Sequence, residues 1–495
     1  MNRQIRQLAG GLMVCYVLLF VALNYWQVGR QEELNARFDN TRAIRREFES
    51  PRGPIVTIDG VTVAESVENP EGSQFRYQRV YPTGDLFGHI TGYYTFAFGS
   101  TGVERTENDV LTGETAQQQI RALPDLVTGR NRDDSGSVRL TLRNDLQAVA
   151  REALGDRQGS VVVIEPKTGA VKAMWSFPGF DPNLVTNPDF EEARAVLTFL
   201  ENYPGDPLLA NAYQQRYMPG SSFKVLTTGI ALQDGVINLD TTFPDESEFV
   251  PPQTTDPIEN FEGTTCGGDL TEVFARSCNI PFAKIALDLG VDRLLAGVAE
   301  WGVGEPLPID LPRPVASTFG SADNLQNQLP ILAIRGFGQS EVQMVPLHMA
   351  MVAGAVANGG QMMKPYVVDA ELDHDGNVLD VTEPEVWKTP ISPDVALTLN
   401  GLMQEVARSG TASCCIALDN GISVAAKTGT AQLNARGEPE RSHAWIVAFA
   451  PAEDPQYAVA VTILGTTDEI SASTGGRLAG PVAKTVLDAA LAGGG

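Results

Sequence analysis

Tyr217-Met218-Pro219-Gly220-Ser221-Ser222-Phe223-Lys224 is the stretch on which the reading of this chain turns. Pro219-Gly220 stops the segment before it, and the pattern from Ser221 to about Gln233, closed by Gly235, predicts a helix. Ser221 and Lys224 stand three residues apart and share a face in a first helical turn. A serine hydroxyl is a weak nucleophile that needs a base nearby. A lysine serves as that base when burial or a second cation lowers its pKa. A helix N-terminus adds backbone N–H groups that favour developing negative charge. The S-x-x-K pattern is short and recurs by chance. Alone, an N-capping serine beside a surface lysine accounts for it.

Two further segments carry the same kind of chemistry. Ser277-Cys278-Asn279 lies between two helical patterns, with Pro281 placed to open the second. Ser277 is a candidate proton relay, and the two-sided carboxamide of Asn279 can hold Lys224 and a substrate amide. Lys427-Thr428-Gly429-Thr430 ends an alternating run, residues 422–426, that predicts a strand. A lysine beside hydroxyls suits an anionic substrate terminus. Gly429 lets another backbone come close, and Thr430 is a candidate second oxyanion N–H beside that of Ser221. Taken singly, these are a polar loop and a strand end.

Further out, the chain alternates between helix and strand patterns. Residues 144–154 are apolar at helical spacing (Leu146, Val149, Ala150, Ala153, Leu154), and 160–165 and 170–177 predict a hairpin. Residues 444–450 and 457–464 predict another across Glu453-Asp454-Pro455, and 481–491 close with a helix. This order is that of an α+β fold, an antiparallel sheet covered by helices. Residues 237–268, acidic and rich in Pro and Thr, predict a loop. Residues 29–137 read as a smaller module, with strand, Asp59-Gly60 turn and strand over 50–66, and a polar boundary at 129–136.

Residues 8–28, LAGGLMVCYVLLFVALNYWQV, carry no charge and are long enough for a hydrocarbon core of about 30 Å. Tyr25 and Trp26 stand where an aromatic belt lies. A cleaved signal peptide is the rival reading, disfavoured by the length of the run and the lack of a small-x-small site directly after it. Residues 1–7 then form a cytoplasmic tail. Arg3 and Arg6 precede the span, but Arg30, Arg37, Arg42, Arg45 and Arg46 follow it and weaken the positive-inside signal. Placement of the large domain outside the cytoplasm rests on its chemistry.

With 495 residues, 43% of them hydrophobic, the chain has room for one large core and a smaller unit. A net charge of −25, from 36 Lys+Arg against 61 Asp+Glu, excludes nucleic acid as the expected partner and fits a solvated acidic surface. The five cysteines, Cys15, Cys266, Cys278, Cys414 and Cys415, show neither C-x-x-C spacing nor a Cys/His cluster, so no metal site is expected. The four outside the apolar run permit disulfides in an oxidising compartment.

In the order S-x-x-K, S-x-N, K-T-G, the three segments resemble the signature of the active-site serine penicillin-recognising enzymes. The chain is most similar to class B penicillin-binding proteins, monofunctional D,D-transpeptidases, and in layout to the actinobacterial penicillin-binding protein A group. Arg52-Gly53-Pro54-Ile55 with Asp59-Gly60, and Gly102-Val103-Glu104, resemble landmarks of that family's N-terminal pedestal. Leu140-Thr141 with Leu146-Gln147 resembles the start of the transpeptidase domain, and Asn358-Gly359-Gly360 and KTGTAQ at 427–432 also fit.

The resemblance implies a penicillin-binding transpeptidase fold over 138–495, standing on a dimerisation-like pedestal at 29–137. It implies that Ser221 attacks the D-Ala-D-Ala carbonyl of a peptidoglycan stem peptide, releases D-Ala, and passes the acyl group to a neighbouring amine. Lys224 is then the base, Ser277 the shuttle and Asn279 its companion. Lys427, Thr428 and Thr430 hold the substrate carboxylate, with Gly429 between them. β-Lactams would acylate Ser221. No metal or organic cofactor is implied. The implied partners are the membrane and a polytopic glycan polymerase of the shape, elongation, division and sporulation family.

The middle residue of the S-x-N segment is Cys278, and a Cys266–Cys278 disulfide is expected to pin that loop; a buried free thiol is the alternative. Cys414 and Cys415 are adjacent and are expected as free thiols. Arg52 and Glu104 are expected to pair inside the pedestal, a contact that would contribute little were it at the surface. His348 and His443 are poor members of a Ser-His-Asp triad, and no G-x-S-x-G elbow surrounds a serine. A D,D-carboxypeptidase or serine β-lactamase shares the three segments but needs a base placed for water. A β-lactam sensor needs further spans or an output module. A bifunctional class A enzyme needs a second catalytic domain before residue 140, where the space is too small.

Overall fold

The computed structural model of the protein describes residues 2–25, 48–120, 135–434, 441–471 and 473–493. Five strands hydrogen-bond in the order Ala425–Gln432, Ser442–Ala450, Tyr457–Ile463, Gly159–Ile164, Val171–Phe177, with every neighbour antiparallel. Successive side chains of a strand point to opposite faces. Tyr457–Ile463 is buried at every position, so both faces of the sheet are covered. Asn144–Leu154 and Gly475–Ala492 pack on each other and on the sheet, and Pro346–Ala357 packs on the same central strands. Pro346–Ala357 is apolar nearly all round because it is enclosed nearly all round. This is the expected α+β architecture.

A second sheet joins segments that lie far apart in the sequence. Its six strands run Val378–Val381, Val368–Leu372, Ser137–Leu140, Ile55–Val56, Thr62–Glu68, Tyr77–Val80. Ile55–Val56 lies parallel to Ser137–Leu140, and the other pairs are antiparallel. A boundary between residues 137 and 138 therefore falls inside a strand hydrogen-bonded to both units. Residues 129–134 of the expected polar boundary lie outside the described residues.

Three local expectations are corrected. The run at 422–426 is not a strand that ends at Lys427: the strand is Ala425–Gln432, and Lys427 to Thr430 lie within it because the whole segment pairs with Ser442–Ala450. Residues 237–268 are not all loop, since Thr242–Glu246 pairs with Cys266–Asp269 and Glu248–Phe249 with Ile258–Glu259. The α-helix after Ser221 begins at Lys224, with a 3-10 turn at Gly220–Phe223. The N-terminal helix spans Asn2–Asn24, and its stretch long and apolar enough to cross a membrane is Arg3–Ala22, none of it buried. Trp26, Val28 and the arginines from 30 to 46 lie outside the described residues.

The expected Arg52–Glu104 pair is present inside the pedestal and is buried. Glu104 is fully buried and receives Arg52 Nε at 2.6 Å and Arg79 Nε at 2.6 Å. Tyr81 donates its hydroxyl to the same carboxylate at 3.2 Å, and Arg79 donates to the carbonyls of Arg52 (3.1 Å) and Gly53 (2.9 Å). Burial pushes the Glu104 carboxyl up, but Arg79 and Arg52 together hold it below its usual range. Removing one member of a buried ionic cluster leaves the others charged without partners. Glu104→Ala is expected to lower unfolding free energy by about 3–5 kcal/mol in urea titration. Glu68→Ala, in the exposed Arg76–Glu68 pair, is expected to change it by less than about 1 kcal/mol.

Candidate active site

Ser221 is placed by contacts that only glycine tolerates. Gly220 has φ +54°, and a Cβ there would lie 2.4 Å from the Thr430 carbonyl oxygen. Its N–H donates to the Gly338 carbonyl at 2.9 Å. Trp445 Nε1 donates to the Met218 carbonyl at 2.9 Å, and Tyr217 and Met344 exchange backbone hydrogen bonds. The turn is thus fastened on both sides before the helix starts. Ser222 is buried and donates to the Pro219 carbonyl at 2.8 Å, whereas Ser221 remains partly exposed.

Lys224 is fully buried. Its Nζ donates to the Ser277 carbonyl (2.7 Å), the Cys278 carbonyl (2.7 Å) and Asn279 Oδ1 (2.9 Å), and lies 3.3 Å from Ser277 Oγ. None of its hydrogen bonds goes to Ser221. Lys427, also fully buried, donates to Ser277 Oγ at 2.8 Å and to the Thr428 carbonyl at 3.0 Å. Two amines from distant segments therefore meet at one hydroxyl. Since Ser277 Oγ can accept from both, its own hydrogen is left to serve another acceptor.

Burial, and after it the charge of Lys427, pushes Lys224 well below the ordinary lysine range. The three acceptor oxygens around it oppose that shift, because they favour the ammonium. Burial lowers Lys427 to about 7. Lys224 feels a second cation as well as desolvation, so it is the stronger candidate for a neutral amine.

The Ser277 loop is held from behind. Ser277 itself has φ +60°, a left-handed conformation uncommon outside glycine. Asn260 Oδ1 accepts from the N–H groups of Asn279 (2.8 Å) and Ile280 (3.1 Å), while its Nδ2 donates to the Glu246 and Thr264 carbonyls. Cys266 and Cys278 are bonded, with Cα atoms 5.8 Å apart. The bond fixes the residue whose carbonyl receives Lys224. Cys414 and Cys415, expected as thiols, are bonded to each other.

Along Ala425–Gln432, an edge strand of the sheet, the backbone of Gly429 faces the Ser221 turn: a Cβ there would lie 2.4 Å from the Pro219 carbonyl oxygen. The Thr430 carbonyl accepts from Gln339 Nε2 at 3.3 Å, off the sheet edge. In an antiparallel strand a residue's N–H and C=O point the same way, so the Thr430 N–H is directed off that edge too. Thr428 and Thr411 hydroxyls are 2.6 Å apart, and the Gly475 N–H donates to Thr430 Oγ1 at 3.2 Å.

The site thus brings together Lys224, Ser277, Asn279, Lys427 and, by its neighbours' backbone contacts, Ser221 with Gly429 and Thr430. Asn260, Gln339, Gly338 and Trp445 were not singled out from sequence. Each acts through a backbone group far away in the chain, and no local pattern marks them. His348 is buried between Ser317 Oγ and the Trp301 carbonyl, each at 2.8 Å. His443 accepts from the Gly465 N–H. Neither hydrogen-bonds to Ser221.

Residues 159–488 match the penicillin binding protein transpeptidase domain, and residues 52–138 the penicillin binding protein A dimerisation domain. A peptidoglycan D,D-transpeptidase PbpA of Mycolicibacterium smegmatis is 37% identical over 99% of this chain and 99% of its own. Its namesake in Mycobacterium tuberculosis is 34% identical over 100% of both. Among solved structures, penicillin-binding protein A from M. tuberculosis as a ceftriaxone acyl-enzyme complex matches with TM-score 0.83 and 32% identity, over 90% of this chain and 100% of that one. Its imipenem acyl-enzyme complex matches with TM-score 0.81 and 32% identity over the same shares.

The buried amines predict a pH dependence. Below about pH 7 Lys427 carries its proton in both the folded and unfolded states. From there up to the ordinary lysine range the unfolded chain binds more protons than the folded one, so stability rises with pH. Lys427→Met is expected to flatten that rise, read as urea midpoints between about pH 6 and about pH 9. Equal slopes in wild type and variant would exclude Lys427 as the group.

Proposed function

This chain belongs to the penicillin-binding protein transpeptidase family; it is a serine-type peptidoglycan D,D-transpeptidase acylated by β-lactams, and we propose the following division of its chemistry among residues. Ser221 Oγ attacks the D-Ala-D-Ala carbonyl of a stem peptide. Its proton passes to Lys224, directly or through Ser277. The oxyanion lies against the N–H groups of Ser221 and Thr430. As the amide bond breaks, Ser277 Oγ donates a proton to the leaving D-Ala nitrogen and is refilled from Lys224. An acceptor amine then attacks the acyl-enzyme and loses its proton along the same path. The new peptide bond forms, and Ser221 regains its hydrogen.

The observation that carries this reading is the Ser277 hydroxyl, 3.3 Å from Lys224 Nζ and 2.8 Å from Lys427 Nζ. A hydroxyl between two buried amines is suited to move a proton in either direction, as acylation and aminolysis both require. Lys427, Thr428 and Thr430 hold the terminal carboxylate of the donor peptide, and a β-lactam carboxylate would bind there too. Asn279 fixes Lys224 and receives the donor amide.

The N-terminal helix anchors the chain in the cell membrane with the catalytic domain outside the cytoplasm, where stem peptides are cross-linked. The pedestal and anchor face a polytopic glycan polymerase of the shape, elongation, division and sporulation family. The chemistry uses no metal or organic cofactor.

Labelled penicillin is expected to attach covalently to Ser221, with the adduct mapped by mass spectrometry. Ser221→Ala should lose at least about 99% of the label, as expected when a nucleophile is removed. Slow release, with transfer of a stem-peptide acyl group to an added amine, is the transpeptidase outcome. Fast hydrolysis would favour a β-lactamase, and label retained by Ser221→Ala would overturn the assignment of the nucleophile.

A further inference from the structure

Between the helix Pro393–Arg408 and the strand Ala425–Gln432 the chain makes a tight loop that touches one motif segment and the residue two before another. The Thr411 N–H donates to the Ala275 carbonyl at 3.2 Å, two residues before Ser277. The Thr411 hydroxyl lies 2.6 Å from that of Thr428, on the strand that carries Lys427 and Thr430. The loop is pressed on the helix Gly475–Ala492: a Cβ on Gly476 would lie 2.4 Å from the Thr411 carbonyl oxygen, and one on Gly480 3.0 Å from Cys415 Cβ. Turns from Ser413 N–H to the Gly410 carbonyl (3.2 Å) and from Cys415 N–H to the Ala412 carbonyl (2.9 Å), with the Cys414–Cys415 bond, hold its shape.

Thr428 is nearly buried, whereas Thr411 is exposed. Two hydroxyls in contact use one hydrogen between them, and the other is free to donate outward. The pair stands at the N-terminus of Gly475–Ala492, where the Gly475 N–H already donates to Thr430 Oγ1 at 3.2 Å. Hydroxyl donors beside a helix N-terminus favour a carboxylate.

Resting on the D,D-transpeptidase reading above, we propose that Thr411 is a further substrate-binding residue. Its hydroxyl and that of Thr428 share one hydrogen and direct the other at the terminal carboxylate of the donor peptide or of a β-lactam, and so set the preference for an acid over a neutral analogue. The link to Ala275 places this contact in register with Ser277.

The test compares acylation of Ser221 by a penicillin and by its methyl ester in the full chain, for wild type, Thr411→Val and Thr411→Ser. Thr411→Val keeps the shape and removes the hydroxyl. It is expected to lower the second-order rate constant about tenfold for the free acid and by less than about twofold for the ester. Thr411→Ser is expected to restore the acid rate. An unchanged acid rate, or an equal loss for acid and ester, would overturn the assignment to Thr411 while leaving the nucleophile in place. A wild type that forms no Ser221 adduct with either compound would overturn both this proposal and the reading on which it rests.

Discussion

Two lysine side chains, fully buried and carried by segments far apart in sequence, converge on the hydroxyl of Ser277. Placing two amines together away from water is unfavourable twice over, through desolvation and through their mutual repulsion. The surroundings offset that cost with acceptors rather than with a carboxylate: two backbone carbonyls and an amide oxygen for Lys224, a hydroxyl and a carbonyl for Lys427. A carboxylate would fix both amines as ammonium ions. Neutral acceptors leave at least one of them able to take up and release a proton, as the base role proposed for Lys224 requires.

That arrangement places demands on the backbone. Carbonyl acceptors are useful only when rigidly aimed, so the Ser277–Asn279 segment is fastened by Asn260 and by the Cys266–Cys278 bond. The acidic stretch that supplies Asn260 and Cys266 is folded into short ribbons. On the opposite side, the Ser221 turn and the strand Ala425–Gln432 approach so closely that Gly220 and Gly429 have no space for a side chain. Larger residues there would clash with Thr430 and Pro219 and push the Ser221 turn and the strand apart.

The N-terminal unit is joined to this core by more than a linker. Ser137–Leu140 pairs with Ile55–Val56 on one side and Val368–Leu372 on the other, so one sheet spans both units. Within the unit, Glu104 gathers Arg52, Arg79 and Tyr81 away from solvent.

Sequence alone determined the elements whose cause is local. Helix Asn144–Leu154 and the strands around residues 160–177 and 444–464 were legible because periodicity and turn residues are short-range signals. The three motif segments were legible because each is a contiguous set of residue types that its chemistry needs. The burial of the Arg52–Glu104 pair, the continuation of the strand through Lys427, the ribbons within residues 237–268 and the bond between Cys414 and Cys415 were not. Each depends on which distant segment lies alongside, and periodicity within a segment carries no record of its neighbour. The tertiary structure alone decided that Lys224 turns to the Ser277 loop rather than to Ser221, because its acceptors are supplied by backbone that another part of the chain holds in place.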